Sequence, residues 1–173
     1  MPASGLVYVI GYPGSGKSTA LALALQAPIT AVHKTPFAHI AYADGTVQLG
    51  ANRAAFSGTD ALPLNVQPTV LKWLPSAPGR VIVAEGDRLA NDKFFRAVVG
   101  LGMSLRIILI GVTELQARYR SWKRGHDFDG RFFRGRTTKV DNLERHWSNR
   151  MTTVDGTQPP EAVAADVRAA LYG

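Results

Sequence analysis

Hydrophobic positions in this chain fall into short, nearly unbroken runs separated by segments with helical spacing. Leu6–Ile10, Val81–Ala84 and Leu105–Ile110 are the clearest runs. Such runs read as strands buried on both faces, the habit of parallel sheets. Ile29–Val32 reads as a short strand or strand end, and Met151–Val154 as the last strand. FAHIAYADGTVQLG has two apolar-rich stretches around Ala43-Asp44-Gly45-Thr46, which predicts a hairpin. SGTDALP reads as a turn with a helix start.

Helices are predicted between these runs, at Lys17–Gln26, Gln67–Leu74, Asn91–Val99, Thr113–Lys123 and Val140–Asn149. Pro75-Ser76-Ala77-Pro78-Gly79 ends the second of them. Pro159 and Pro160 open a final helix that runs to Leu171, since proline is tolerated in a first turn. Arg124–Arg136 shows no clear period and reads as a mobile loop. Strands alternating with helices predict an α/β fold with a parallel sheet of about five strands, helices on both faces and a hairpin insertion. No repeat or linker divides the chain, so residues 1–173 are expected to form one domain.

Composition narrows the class. A chain of 173 residues, 46% hydrophobic, can bury a sizeable core. The absence of cysteine excludes disulfides and thiolate metal sites. The opening MPASGLVYVIG lacks the basic flank and apolar core of a signal peptide, and no run approaches a membrane span. A cytoplasmic location is expected.

Charge changes the picture more. The chain carries a formal +7, and residues 118–150 hold ten Lys/Arg against four Asp/Glu. That stretch alone is +6, leaving +1 for the rest. A polyanionic partner follows naturally, with a solvated basic surface as the plain alternative.

Gly11-Tyr12-Pro13-Gly14-Ser15-Gly16-Lys17-Ser18 matches G-x-x-x-x-G-K-[ST] at every position. Gly11, Gly14 and Gly16 let the backbone curl so that N–H groups, including that of Ser15, converge on phosphate oxygens. The following helix points its positive end at the same place. Lys17 can reach the β- and γ-phosphates of ATP, and Ser18 can ligate Mg²⁺. Thr19 adds a second hydroxyl. A strand before and a helix after are the context this motif requires, which disfavours a chance match.

Val81–Ala84 ends in Glu85-Gly86-Asp87-Arg88. Strand carboxyl ends face the ligand crevice in parallel sheets, so Glu85 or Asp87 is a candidate partner of Mg²⁺. Arg88 can bind phosphate or pair with an acid. In Phe56-Ser57-Gly58-Thr59-Asp60, Asp60 is the candidate to orient or deprotonate an acceptor hydroxyl, although Thr59-Asp60 also suits a helix N-cap. Asn52 and Arg53 are candidate acceptor contacts, and Phe37, Tyr42 and Phe56 can stack on a base or pack in the core. The four histidines lack metal-ligand spacing, and Asp127 and Asp129 are expected to pair with arginines. Arg131 and Arg134, with Arg136 and Lys139, suit a lid over residues 124–139 that excludes water and neutralises charge on a moving phosphoryl group.

GYPGSGKST, VIVAEGDR, the arginine-bearing segment and the ending VDGTQPPEAVAADVRAAL together resemble P-loop kinases of the nucleoside-monophosphate kinase group, including thymidylate kinases. The resemblance covers most of the chain in order, and implies a P-loop NTPase fold and ATP-dependent phosphoryl transfer. Lys17 and Ser18 carry over as nucleotide and Mg²⁺ contacts. FAHIAYADGTVQLG and FSGTD depart from cellular nucleotide kinases. LGANRAAFSGTDAL, AEGDRL and GRTTKVDNL are similar to bacteriophage 5-hydroxymethyluracil DNA kinases, which phosphorylate the base hydroxymethyl group within DNA. That likeness implies a DNA acceptor; the broader one implies a free nucleoside or nucleotide. A nucleic-acid-stimulated ATPase is the third reading.

Overall fold

The computed structural model describes residues 5–52 and 57–173. Arg53 and Phe56, both candidates above, lie outside the described residues. In chain order the elements are β1 (Gly5–Gly11), α1 (Lys17–Ala24), β2 (Ile29–His33), β3 (His39–Tyr42), β4 (Thr46–Leu49), β5 (Ala51–Asn52), β6 (Ser57–Gly58), α2 (Gln67–Trp73), β7 (Val81–Glu85), α3 (Asp92–Gly100), β8 (Leu105–Gly111), α4 (Glu114–Lys123), α5 (Gly130–Trp147), β9 (Met151–Asp155) and α6 (Pro160–Tyr172).

Hydrogen-bonded strand order is β2-β3-β4-β7-β1-β8-β9, with β5 and β6 forming a small pair of their own. Strand β7 runs parallel to both β1 and β4, and β8 runs parallel to β9. The central sheet therefore has seven strands, not about five. The difference lies at the β2–β4 edge. Strands β3 and β4 do turn back on each other over residues 43–46, and they belong to the main sheet: β4 pairs with β7, and β2 extends the sheet beyond β3.

Two compact units divide the chain, Met1–Val9 with Gln26–Arg106, and Ile10–Leu25 with Ile107–Gly173. In the first, Leu6, Tyr8, Ile82, Val83, Phe94 and Phe95 are buried. Val9 registers with Glu85 across the β1–β7 ladder. Helix α3 starts where Asn91 accepts a hydrogen bond from the Phe94 amide at 2.8 Å. In the second, α1 packs along α6, and Arg168 on α6 donates to the Ala24 and Leu23 carbonyls at the end of α1. Such bonds satisfy acceptors that a helix end leaves open.

The segment expected to be a loop is largely helix. Only residues 124–129 lie between α4 and α5, and α5 takes in Arg131, Arg134, Arg136 and Lys139. Asp129 does not pair with an arginine side chain. Its Oδ1 caps α5, accepting from the amides of Arg131 at 2.9 Å and Phe132 at 3.1 Å. Burial of Phe133, Val140, Leu143 and Trp147 then holds the helix down along one stripe.

Candidate active site

In the second unit, residues 11–16 curl between β1 and α1. Gly14 has φ +78° and Gly16 φ +82°, the left-handed region where a side chain is strained. A Cβ on Gly14 would also stand 3.2 Å from the Ala117 Cα, so glycine lets α4 approach the loop. Lys17 Nζ donates to the Gly11 carbonyl at 3.2 Å, holding the ammonium back over the turn.

Two observations fit this loop to a nucleotide's phosphates. The Ser15 side chain is buried and its Oγ has no hydrogen-bond partner. No side chain caps the start of α1, so its first N–H groups are left for an anion. Ser18 opens the same helix, and one serine hydroxyl together with phosphate oxygens is the donor set Mg²⁺ takes in such loops.

Beside the loop is a cavity of about 580 Å³ lined by Gly14, Ser15, Gly16, Thr19, Gln116, Arg120, Thr157 and Gln158 among others. Its frame is the Arg120 guanidinium. Nη1 donates to the Gly14 carbonyl at 2.7 Å and Nη2 to the Gly156 carbonyl at 2.6 Å. One planar fork thus fixes the phosphate loop to the turn between β9 and α6. Tyr12 ties the loop to α5, its hydroxyl donating to Asp141 Oδ1 at 2.9 Å. Burial first, and then the Asp141 bond and charge with Glu144 behind them, push the Tyr12 hydroxyl up to about 12.

The arginines expected in the lid, Arg131, Arg134 and Arg136, lie on α5. Arg131 and Arg134 are exposed, while the Arg136 guanidinium lies 5.1 Å from the centre of the Phe132 ring. Lys139 is half-buried on the same helix.

In the first unit, Asp60, Glu85, Asp87 and Arg88 come together around the Ser57–Asp60 turn. Asp60 caps no helix. Its Oδ1 instead accepts from the Asp87 amide at 2.9 Å and the Arg88 amide at 3.0 Å. Gly86, with φ +106°, passes so close beneath that a Cβ there would meet Asp60 Oδ2 at 2.9 Å. Arg88 reaches the carbonyl of Asp60 at 3.3 Å, not a carboxylate, and its Nε is buried without a partner. Glu85 is buried, and its Oε1 accepts from Ser57 Oγ at 3.0 Å. Gly58 has φ +59° and leaves no room for a Cβ against Glu85 Oε1.

Beneath this turn lies Tyr8, fully buried. Its hydroxyl is 3.0 Å from both Thr59 Oγ1 and the Gly86 carbonyl, and Thr59 Oγ1 donates to the Glu85 carbonyl at 2.9 Å. Burial drives the Tyr8 hydroxyl far above its ordinary value, with the charges of Asp60 and Glu85 adding to the effect. Asn52 stands on β5 opposite Ser57, exposed, and its Oδ1 accepts from Gln48 Nε2 at 3.4 Å. Phe37 and Tyr42 are core residues. Among the described residues no cluster of three or more His, Cys, Asp or Glu can hold a metal.

The sequence from residue 3 to 168 matches the family described as P-loop Nucleotide Kinase3. The chain belongs to that family. It is a P-loop kinase, an α/β protein with a mostly parallel central sheet flanked by helices. No curated protein sequence matches it. Among solved structures it is similar to a gluconokinase from Sinorhizobium meliloti 1021, at TM-score 0.59 and 15% identity over 99% of this chain and 93% of that one. A sugar kinase from Janibacter sp. HTCC2649 gives TM-score 0.55 and 15% identity over 98% and 99%. Likeness at such identity speaks for the fold. No helix among the described residues is long and apolar enough to cross a membrane.

Proposed function

We propose that this kinase transfers the γ-phosphate of ATP, with Mg²⁺, to the 5-hydroxymethyl group of hydroxymethyldeoxyuridine within DNA, residues 1–173 acting as one catalytic domain. The observation that carries the acceptor is the charge of residues 118–150: +6 of the chain's +7, on two helices where Arg131 and Arg134 stand exposed. A lone nucleotide needs a few cations; an excess of this size suits a polymer of phosphates.

The residue roles follow from local chemistry. Gly11, Gly14, Ser15, Gly16 and Thr19 cradle the phosphates, Lys17 neutralises the β/γ bridge, and Ser18 holds Mg²⁺. Asp60 is the acceptor-side base. Its Oδ1 is braced by two backbone amides, which leaves Oδ2 to take the proton as the hydroxyl oxygen bonds to phosphorus and ADP departs. Glu85 and Asp87 serve the cation through water, and Arg131 and Arg134 neutralise the phosphoryl group. Asn52, Arg53, Arg88, Arg136 and Lys139 contact the acceptor strand.

The deciding experiment presents γ-labelled ATP with hydroxymethyluracil DNA, plain DNA, nucleosides and nucleoside monophosphates, followed by product mass. Label only in hydroxymethyluracil DNA is expected. Label in free nucleosides or nucleotides alone refutes the DNA acceptor and installs the alternative. Fast ATP loss with no labelled acceptor would make the chain an ATPase.

A further inference from the structure

Helix α4 carries an apolar stripe that none of the described residues covers. Leu115, Tyr119 and Trp122 follow one another at helical spacing and are 76%, 54% and 72% exposed. The Tyr119 and Trp122 rings lie 5.9 Å apart between centroids, tilted by 36°. Cations interleave with the rings: Lys123 Nζ is 5.8 Å from the Tyr119 ring centre, and the Arg118 guanidinium is 4.9 Å from that of Phe128. Phe128 in turn packs on Phe133 of α5, whose neighbour Phe132 is 53% exposed under Arg136.

Apolar rings left in water cost free energy unless a ligand covers them. Rings alternating with arginine and lysine attract an anionic ligand that has flat faces. A protein partner would accept the stripe but not call for the cationic excess around it. Duplex DNA would satisfy the cations but keeps its base faces stacked inside. Single-stranded DNA offers both phosphates and open base faces.

We infer that the Tyr119–Trp122 face of α4 is a stacking platform for single-stranded DNA. It rests on the reading of DNA as the acceptor and adds how the strand is held. Enzymes that do chemistry on a base often draw it out of the stack, and a stacking platform holds the unpaired strand without reading its sequence. Tyr119 and Lys123 also line the nucleotide cavity, whereas Trp122 does not, so removal of Trp122 alone separates the two functions.

Trp122 is also the probe. The other tryptophans are buried Trp147 and half-buried Trp73. Titration with an oligothymidylate should quench the exposed component of the emission, and the affinity should fall steeply with salt. By anisotropy of a labelled oligothymidylate, Trp122→Ala should bind about 5- to 100-fold more weakly and Trp122→Phe nearly as well as the parent. Equal affinity of Trp122→Ala and the parent overturns the inference, as does a protein that sediments as a dimer whose quench disappears on dilution. The two readings fail separately. Labelled hydroxymethyluracil DNA without a Trp122 effect sinks the platform alone, and a Trp122 effect without labelled DNA sinks the acceptor alone.

Discussion

Replacing Tyr8 by Phe removes a single oxygen from a fully buried ring and leaves the packing against Phe94 and Phe95 in place. The lost hydroxyl is 3.0 Å from the Gly86 carbonyl and from Thr59 Oγ1. Each of the two hydroxyls has one proton, so the three contacts they make among themselves and the Gly86 and Glu85 carbonyls hold two hydrogen bonds at a time. The variant keeps the Thr59 bond to Glu85 and deprives Gly86 of its partner. A net bond worth about 1 kcal/mol, plus part of the desolvation of a stranded carbonyl, gives a loss of about 1–2 kcal/mol. With m near ~2 kcal/mol/M, the urea midpoint at pH 7 should fall by about 0.5–1 M. Alkaline pH supplies a second arm. In the unfolded chain this tyrosine ionises near pH 10, while in the native protein burial keeps the proton on. The native state therefore binds more protons above pH 10, and stability falls as pH rises. Phenylalanine has no such loss. The gap between parent and variant should close by about 1 kcal/mol between pH 9.5 and pH 11. Equal midpoints at pH 7, or a gap that stays constant into alkali, would refute the reasoning.

Lys17→Ala should abolish phosphoryl transfer to any acceptor while the unfolding free energy in urea stays within about 0.5 kcal/mol of the parent; surviving transfer by radiolabel would remove Lys17 from the β/γ bridge. Asp60→Asn keeps an oxygen for the Asp87 and Arg88 amides, so kcat should fall about 10²- to 10⁴-fold with little change in ATP affinity, and an unchanged kcat would show that Asp60 is a brace only. Gly58→Ala forces a Cβ against Glu85 and should cost at least about 1–3 kcal/mol from backbone strain alone, read as a lower thermal midpoint; parity with the parent would contradict the close approach. Arg120→Lys replaces a fork by a point charge and should raise the KM for ATP, with the Gly14 and Gly156 carbonyls no longer held together; an unaltered KM would mean the fork does not shape the cavity.

The phosphate loop was legible because its chemistry is local. Eight consecutive residues carry the turn, the lysine and the hydroxyl, and a strand and a helix flank them. The hairpin at residues 43–46 was legible for the same reason, but its place inside the sheet was not, since pairing of β4 with β7 joins distant segments. The expected loop at 124–136 went wrong at Asp129. Arginines and the glycines Gly130 and Gly135 masked a helical stripe that begins only at Phe133. Asp129 followed by a break in charge was the available signal for the cap. On the acceptor side, Asp60 and Glu85 could be named as acids at turns, but not their setting. Tyr8 is 51 residues from Thr59 and 78 from Gly86. Arg120 is 106 residues from Gly14, and nothing in its helix marks it out from Arg118 or Arg124.

The Tyr12–Asp141 bond joins the nucleotide loop to the helix that bears Arg131, Arg134, Arg136 and Arg145, and that has a thermodynamic consequence. A bond shared by two elements makes their ligands mutual effectors. Whatever free energy a nucleotide contributes by favouring the bonded state of Tyr12, a ligand on α5 receives in equal measure, and the reverse. The two affinities must change by the same factor, and Tyr12→Phe must shrink both factors together. The strength of that mutual effect is then read from one hydrogen bond 2.9 Å long.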